Sequence, residues 1–98
     1  MRQFKTLELA IAQYHQIKNL KLKGEIRDQI ERAALSVCLN LSEGNAKSTT
    51  KDRKRFFNIS YASQKEIQTL LLIEGIIHLH KNSDILAACI YRLHERAL

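Results

Sequence analysis

Residues 55–77 read RFFNISYASQKEIQTLLLIEGII, and the fold turns on this stretch. Within it Phe56, Ile59, Ser63, Glu66, Leu70, Ile73 and Ile77 alternate in steps of three and four, the spacing that holds one face of an α-helix. It is the strongest periodic signal in the chain. Just upstream, Ser48-Thr49-Thr50 offers N-caps, and Asp52 suits the positive end of the helix dipole. Further upstream, Ile26, Ile30, Ala33, Val37, Asn40, Leu41 and Gly44 predict a helix over 24–45, with Gly44-Asn45 as a left-handed stop. Leu7, Ala10, Ile11, Tyr14, Ile17 and Lys18 predict another over 3–20, broken by Asn19 to Gly24. Downstream, Asn82-Ser83 caps a fourth helix, with Ile85, Leu86, Cys89, Ile90 and Leu93 on its apolar face. Connections this short turn consecutive helices back on each other. The expected fold is all-α, an antiparallel up-down-up-down four-helix bundle, in one domain over 1–98.

Composition agrees. Ninety-eight residues suffice for one domain, and 45% hydrophobic content is too apolar for a disordered chain. Proline is absent, as a chain dominated by helices allows. No apolar run is long enough to span a membrane, and Met1 to Lys5 lack the apolar core of a secretory signal. A cytoplasmic location is therefore expected, with Cys38 and Cys89 as buried thiols.

Polar residues that interrupt the apolar stripes are informative. Asn40 lies on the stripe of the second helix, Ser63 and Glu66 on that of the third, and Gln29, Arg32 and Ser36 flank the former. An antiparallel hairpin about the 44–50 turn sets Arg32 opposite Ser63 and Gln29 opposite Glu66. One turn of slack brings the Arg32 guanidinium to the Glu66 carboxylate. The expectation is a structural polar network of Gln29, Arg32, Asn40, Ser63 and Glu66, with a buried Arg32–Glu66 pair. Asn40 serves equally well to tie down the turn. A catalytic use would need a nucleophile or a second acid, and neither is in position.

These same residues carry a resemblance. Residues 29–44, QIERAALSVCLNLSEG, resemble the signature of the 23S ribosomal RNA intervening-sequence proteins, which runs Gln-Ile-x-Arg-Ala-x-x-Ser-Ile-x-x-Asn-Ile-x-Glu-Gly. Ser48, Phe56 to Ile59, and Ala62-Ser63 with Glu66 resemble that family's second block. Departures are Glu31 for a basic or amide residue, Cys38-Leu39 for a proline-containing pair, and Ala62 for glycine. The resemblance covers about residues 4–75. It implies a four-helix bundle assembled as a ring, typically a homopentamer. The chain is also similar in fold and charge to the accessory variability determinant of diversity-generating retroelements, a basic ring that binds reverse transcriptase and nucleic acid.

Charge can be placed from topology alone. Both termini and the turn between helices two and three share one end of such a bundle. That end gathers Arg2, Lys5, Lys47, Lys51, Arg53, Lys54, Arg55, Arg92 and Arg96 against Glu8, Glu43, Asp52 and Glu95, nearly all of the net +6. Lys47, Lys51, Arg53, Lys54, Arg55, Arg92 and Arg96 are the candidate contacts to RNA or DNA phosphates. The alternative is that they are solvated helix ends. Bases at the start of helix three oppose its dipole, a cost that favours a binding role. Tyr61 and Tyr91 are candidate stacking groups, or else core or interface residues.

Other chemistry is missing from the sequence. His78 and His80 are two apart on a helix and face different ways, while His15 and His94 are isolated, so no metal site is expected. There is no glycine-rich phosphate loop and no nucleophile elbow. No cofactor and no catalysis are expected. Apolar Leu71, Leu72, Ile76 and Leu79 off the main stripe of helix three point to a homo-oligomer. Two functions compete: a nucleic-acid-binding scaffold, and a protein-interaction ring that docks a partner such as a reverse transcriptase.

Overall fold

The four amphipathic segments become four helices. The computed structural model describes residues 4–97, with α1 at Lys5–Lys18, α2 at Gly24–Ala46, α3 at Thr50–Ile73 and α4 at His80–Arg96. The class is all-α, with no strand among the described residues. The predicted 3–20 helix begins later than expected, and its Gln3 start lies outside the described residues. Helix pairs α1–α2, α2–α3, α3–α4 and α1–α4 pack together, a cycle of neighbours around one core. The longest dimension, 39 Å, matches the roughly 36 Å length of the 24-residue α3, so the helices lie side by side.

Local chemistry sets the ends. The expected cap of α3 is present: Thr49 Oγ1 accepts the Asp52 backbone N–H at 3.2 Å. The expected left-handed stop is absent at Gly44, which is helical, and α2 ends at Ala46 with Lys47 extended; a left-handed stop does follow α3, at Gly75 (φ 69°). There Gly75 N–H bonds to Leu72 O at 3.1 Å and Ile76 N–H to Leu71 O at 2.9 Å, the paired bonds of a Schellman motif. The third helix therefore ends at Ile73, and Ile77 stands outside it, highly exposed. Gly44 has a different task. A Cβ there would sit 2.6 Å from Phe57 Cε1, so the missing side chain lets α2 and the Phe57 ring close together. Asn82-Ser83 caps nothing: α4 already starts at His80, and Ser83 is buried inside it.

The core corrects the expected faces. Ile17, Ile30, Val37, Leu41, Phe57, Ile67, Leu71, Leu86 and Ile90 form its centre, with Ala10, Ala33 and Ala34 where helices approach most closely. On α3 the buried residues are Phe57, Ser60, Gln64, Ile67, Leu70 and Leu71. They form a line mostly one residue beyond the stripe that looked strongest, and of that stripe Leu70 alone is buried. Ile59, Glu66 and Ile73 of that stripe are exposed. On α1 the buried line is Thr6, Ala10, Gln13 and Ile17, with Ile11 exposed. The reason is polar pairing. Ser60 and Gln64 find partners inside and so displace apolar neighbours from the core. The cysteines are only partly buried, and burial pushes the Cys38 thiol up from its ordinary value of 9.0.

Candidate nucleic-acid interface

The connection between α2 and α3 fixes its own bases. Arg53 donates from Nη1 to the Lys47 carbonyl at 3.4 Å and lies 5.7 Å from the Phe57 ring centre. This bond ties the turn. Phe56 carries two cations, with Arg55 at 4.6 Å and Lys47 at 5.2 Å from its centroid. Cation–π contact of this kind holds a side chain without neutralising it. Sequence reasoning misses this part for Phe56; a phenylalanine between two nearby bases is the signal that could have found it. Lys51 and Arg55 are exposed and Lys54 is partly buried.

On α4, Arg92 and Arg96 are exposed, and Arg92 donates weakly to Cys89 Sγ at 3.4 Å. With Thr6, Cys89 and Leu93 they line a cleft of about 180 Å³, which sets the start of α1 beside the end of α4. Arg2 lies outside the described residues. The carboxylates are placed unevenly. Among the described residues, ion pairs form at Lys18–Glu31 (3.6 Å), Arg27–Glu31 (3.2 Å), Lys47–Glu43 (3.5 Å) and His94–Glu95 (3.6 Å). Lys51, Arg53, Lys54, Arg55, Arg92 and Arg96 take part in none of them.

The expected polar network is not the one the protein builds. Arg32, Glu66 and Gln29 are all exposed, and no ion pair joins Arg32 to Glu66 among the described residues. Both belong to the rows of α2 and α3 that face outward beside the interhelical seam. Ser63 and Asn40 do meet there, through Ser36. The Ser36 and Ser63 hydroxyls are 2.8 Å apart, and Asn40 Nδ2 donates to Ser36 O (2.9 Å) and Oγ (3.1 Å). Asn40 thus bonds back one turn of its own helix and does not reach the α2–α3 connection. Ser60 Oγ donates to Val37 O at 3.0 Å, the deepest link across this seam.

The main buried network lies elsewhere, at positions the sequence reading misses. Gln13 and Gln64 exchange side-chain hydrogen bonds (2.8 and 2.9 Å) across the bundle centre, from α1 to α3. Gln64 Nε2 also reaches Ser83 O (3.1 Å) and Oγ (2.8 Å), and Ser83 Oγ donates to Gln13 Oε1 (3.0 Å). With two hydrogens, Nε2 shares among three acceptors. The arrangement is structural, a lock on helix register.

Tyr61 and Tyr91 come together, with ring centroids 5.7 Å apart. They stand in a groove of about 480 Å³ between α3 and α4. No cluster of three metal-ligating side chains occurs, and no helix is long and apolar enough to cross a membrane, among the described residues.

These features define a small all-α, four-helix protein with a basic turn. The chain belongs to the 23S rRNA-intervening sequence protein family, whose model matches residues 3–93. It is not a known enzyme family. No curated protein and no solved structure matches the chain significantly.

Proposed function

We propose that this protein is a non-catalytic, cytoplasmic scaffold, an antiparallel up-down-up-down bundle that self-associates and holds RNA or DNA phosphates at its basic end. One observation carries the reading: the concentration of unpaired bases at one end. Lys51, Arg53, Lys54, Arg55, Arg92 and Arg96 have no carboxylate at ion-pair distance among the described residues, and Lys47–Glu43 and His94–Glu95 are the ion pairs found near them. Unpaired bases, two of them (Arg53 and Arg55) held over aromatic rings, suit phosphate contact, in which bound counterions are released and sequence is not read. Self-association, into a pentamer by resemblance, is supported by the exposed Leu35, Leu39, Ile59, Leu72 and Ile73 on α2 and α3. Of the residues the sequence offered for it, Leu71 and Leu79 are instead buried within the bundle and Ile76 is partly buried. That apolar surface also favours the second reading, a ring that docks a protein partner such as a reverse transcriptase.

Salt-dependent binding separates the two. Neutralising Lys51, Lys54 and Arg55 to Gln, with Arg53 kept because it ties the turn, weakens binding of structured RNA and duplex DNA alike. The log–log salt slope flattens by about 0.9 for each duplex phosphate that is no longer neutralised. Changing Lys18, Lys21 and Lys23 to Gln has a much smaller effect. Equal weakening by both variants refutes a localised interface. No binding near physiological salt leaves the docking reading in its place.

A further inference from the structure

The groove between α3 and α4 has a composition that a packing seam does not require. Its lining combines two tyrosines, two bases and an acid–amide pair: Tyr61, Tyr91, Lys65, Arg92, Gln68 and Asp84. Tyr91 is 49% exposed, so one ring presents a face to solvent. Lys65 Nζ lies 5.8 Å from the Tyr61 centroid, and neither Lys65 nor Arg92 has a carboxylate partner among the described residues. Ala87 and Ala88 leave open the space that larger side chains would fill. At about 480 Å³ the volume falls in the range of small-ligand pockets, about 300–1,000 Å³.

The groove also has direction. Tyr61 meets Tyr91 and Gln68 meets Asp84, so later residues of α4 lie beside earlier residues of α3. The tyrosine and Arg92 end therefore points toward the start of α3, where Lys51, Lys54 and Arg55 stand. The other end is rich in acceptors. Gln68 Nε2 donates to Asp84, and Gln68 Oε1 is the buried side-chain atom that lacks a partner among the described residues. A phosphate fits the first end and is repelled from the second. An N–H-bearing heterocycle fits the second.

We propose that this groove takes one base of a single-stranded nucleic acid, stacked on Tyr91, with its amino edge toward Asp84 and its phosphate on Arg92 and Lys65. The proposal rests on the nucleic-acid reading above and gives it a strand preference: single strands enter the groove, and duplex touches only the basic turn. Stacking on an aromatic side chain is worth about 1–3 kcal/mol per base, which is about 5- to 150-fold in affinity.

The test compares an oligoadenylate, an abasic strand of equal length and a duplex, by fluorescence anisotropy at several salt concentrations. The proteins are the parent, Tyr91→Leu and Ala88→Met, which fills the groove from an exposed position. The expected result is a fall in affinity of at least fivefold on oligoadenylate for both variants, with abasic strand, duplex and salt slope unchanged. Parent protein that binds the abasic strand as tightly as oligoadenylate overturns the groove site but leaves phosphate contact at the basic turn standing. Absence of all binding overturns both. Variants that keep full affinity for oligoadenylate, or that change only the assembly mass by light scattering, overturn the site and make the groove a protein contact.

Discussion

Replacing Gln13 and Gln64 by Leu, singly and together, tests the buried amide pair. Gln64 is fully buried and Gln13 nearly so, at 6% exposure. Gln13→Leu strands Gln64 Oε1, which has no other donor, while Gln64 Nε2 keeps Ser83. An acceptor left without a partner in such a place costs about 1–3 kcal/mol. Gln64→Leu strands Gln13 Nε2, but Gln13 also lines a cleft between α1 and α4 that water can enter, so its cost lies at the lower end. The double variant removes both amides. It leaves only the Ser83 hydroxyl to re-pair, and Ser83 can bond to the carbonyl one turn earlier in α4. Removing both partners of a buried hydrogen bond is close to neutral. Denaturant unfolding at fixed protein concentration should therefore give two destabilised single variants and a double variant near the parent. The expected coupling energy is then the sum of the two single costs, about 2–4 kcal/mol. The single-variant costs correspond to a fall of roughly 5–20 °C in melting temperature for a chain of this size. Additive effects, with the double variant as unstable as the singles combined, would refute the network as the determinant of register.

Two further predictions concern the α2–α3 seam. Gly44→Ala places a methyl carbon 2.6 Å from Phe57 Cε1; overpacking costs about 1–3 kcal/mol and outweighs the roughly 1 kcal/mol gain in helix propensity. The melting temperature should fall, and in a Phe57→Leu background the same change should become stabilising; a stabilised single variant contradicts the close approach. Glu66→Ala and Arg32→Ala should each change the unfolding free energy by no more than about 0.5 kcal/mol, because both side chains are exposed and unpaired with each other. A drop of several kcal/mol would restore the buried pair expected from sequence.

What could be read from the sequence follows from periodicity and local chemistry. Four apolar repeats of three-four spacing specify four helices. Both ends of α2 and the start of α3 fall within a residue or two of expectation because Gly24 and the Thr49 cap act through the adjacent backbone, whereas α3 stops four residues short of the expected Ile77. The basic cluster at residues 47–55 is equally legible, since charge is written in composition. The family is legible from the spacing of Gln29, Arg32, Asn40 and Gly44.

The expected Ile30, Ala33, Val37, Leu41 and Gly44 do face inward on α2, but which face of α3 turns inward was decided only by the tertiary structure. On α3 two stripes run side by side, Phe56-Ile59-Ser63-Glu66 and Phe57-Ser60-Gln64-Ile67, and each looks amphipathic alone. The second is buried because Gln13, Ser83 and Val37 O, distant in sequence, supply the hydrogen bonds that Gln64 and Ser60 need. A polar residue's tolerance for burial depends on its partner, and no window of local sequence contains that partner. The same dependence governs Gly44: a glycine in sequence can end a helix or admit a ring, and only the position of Phe57 settles which.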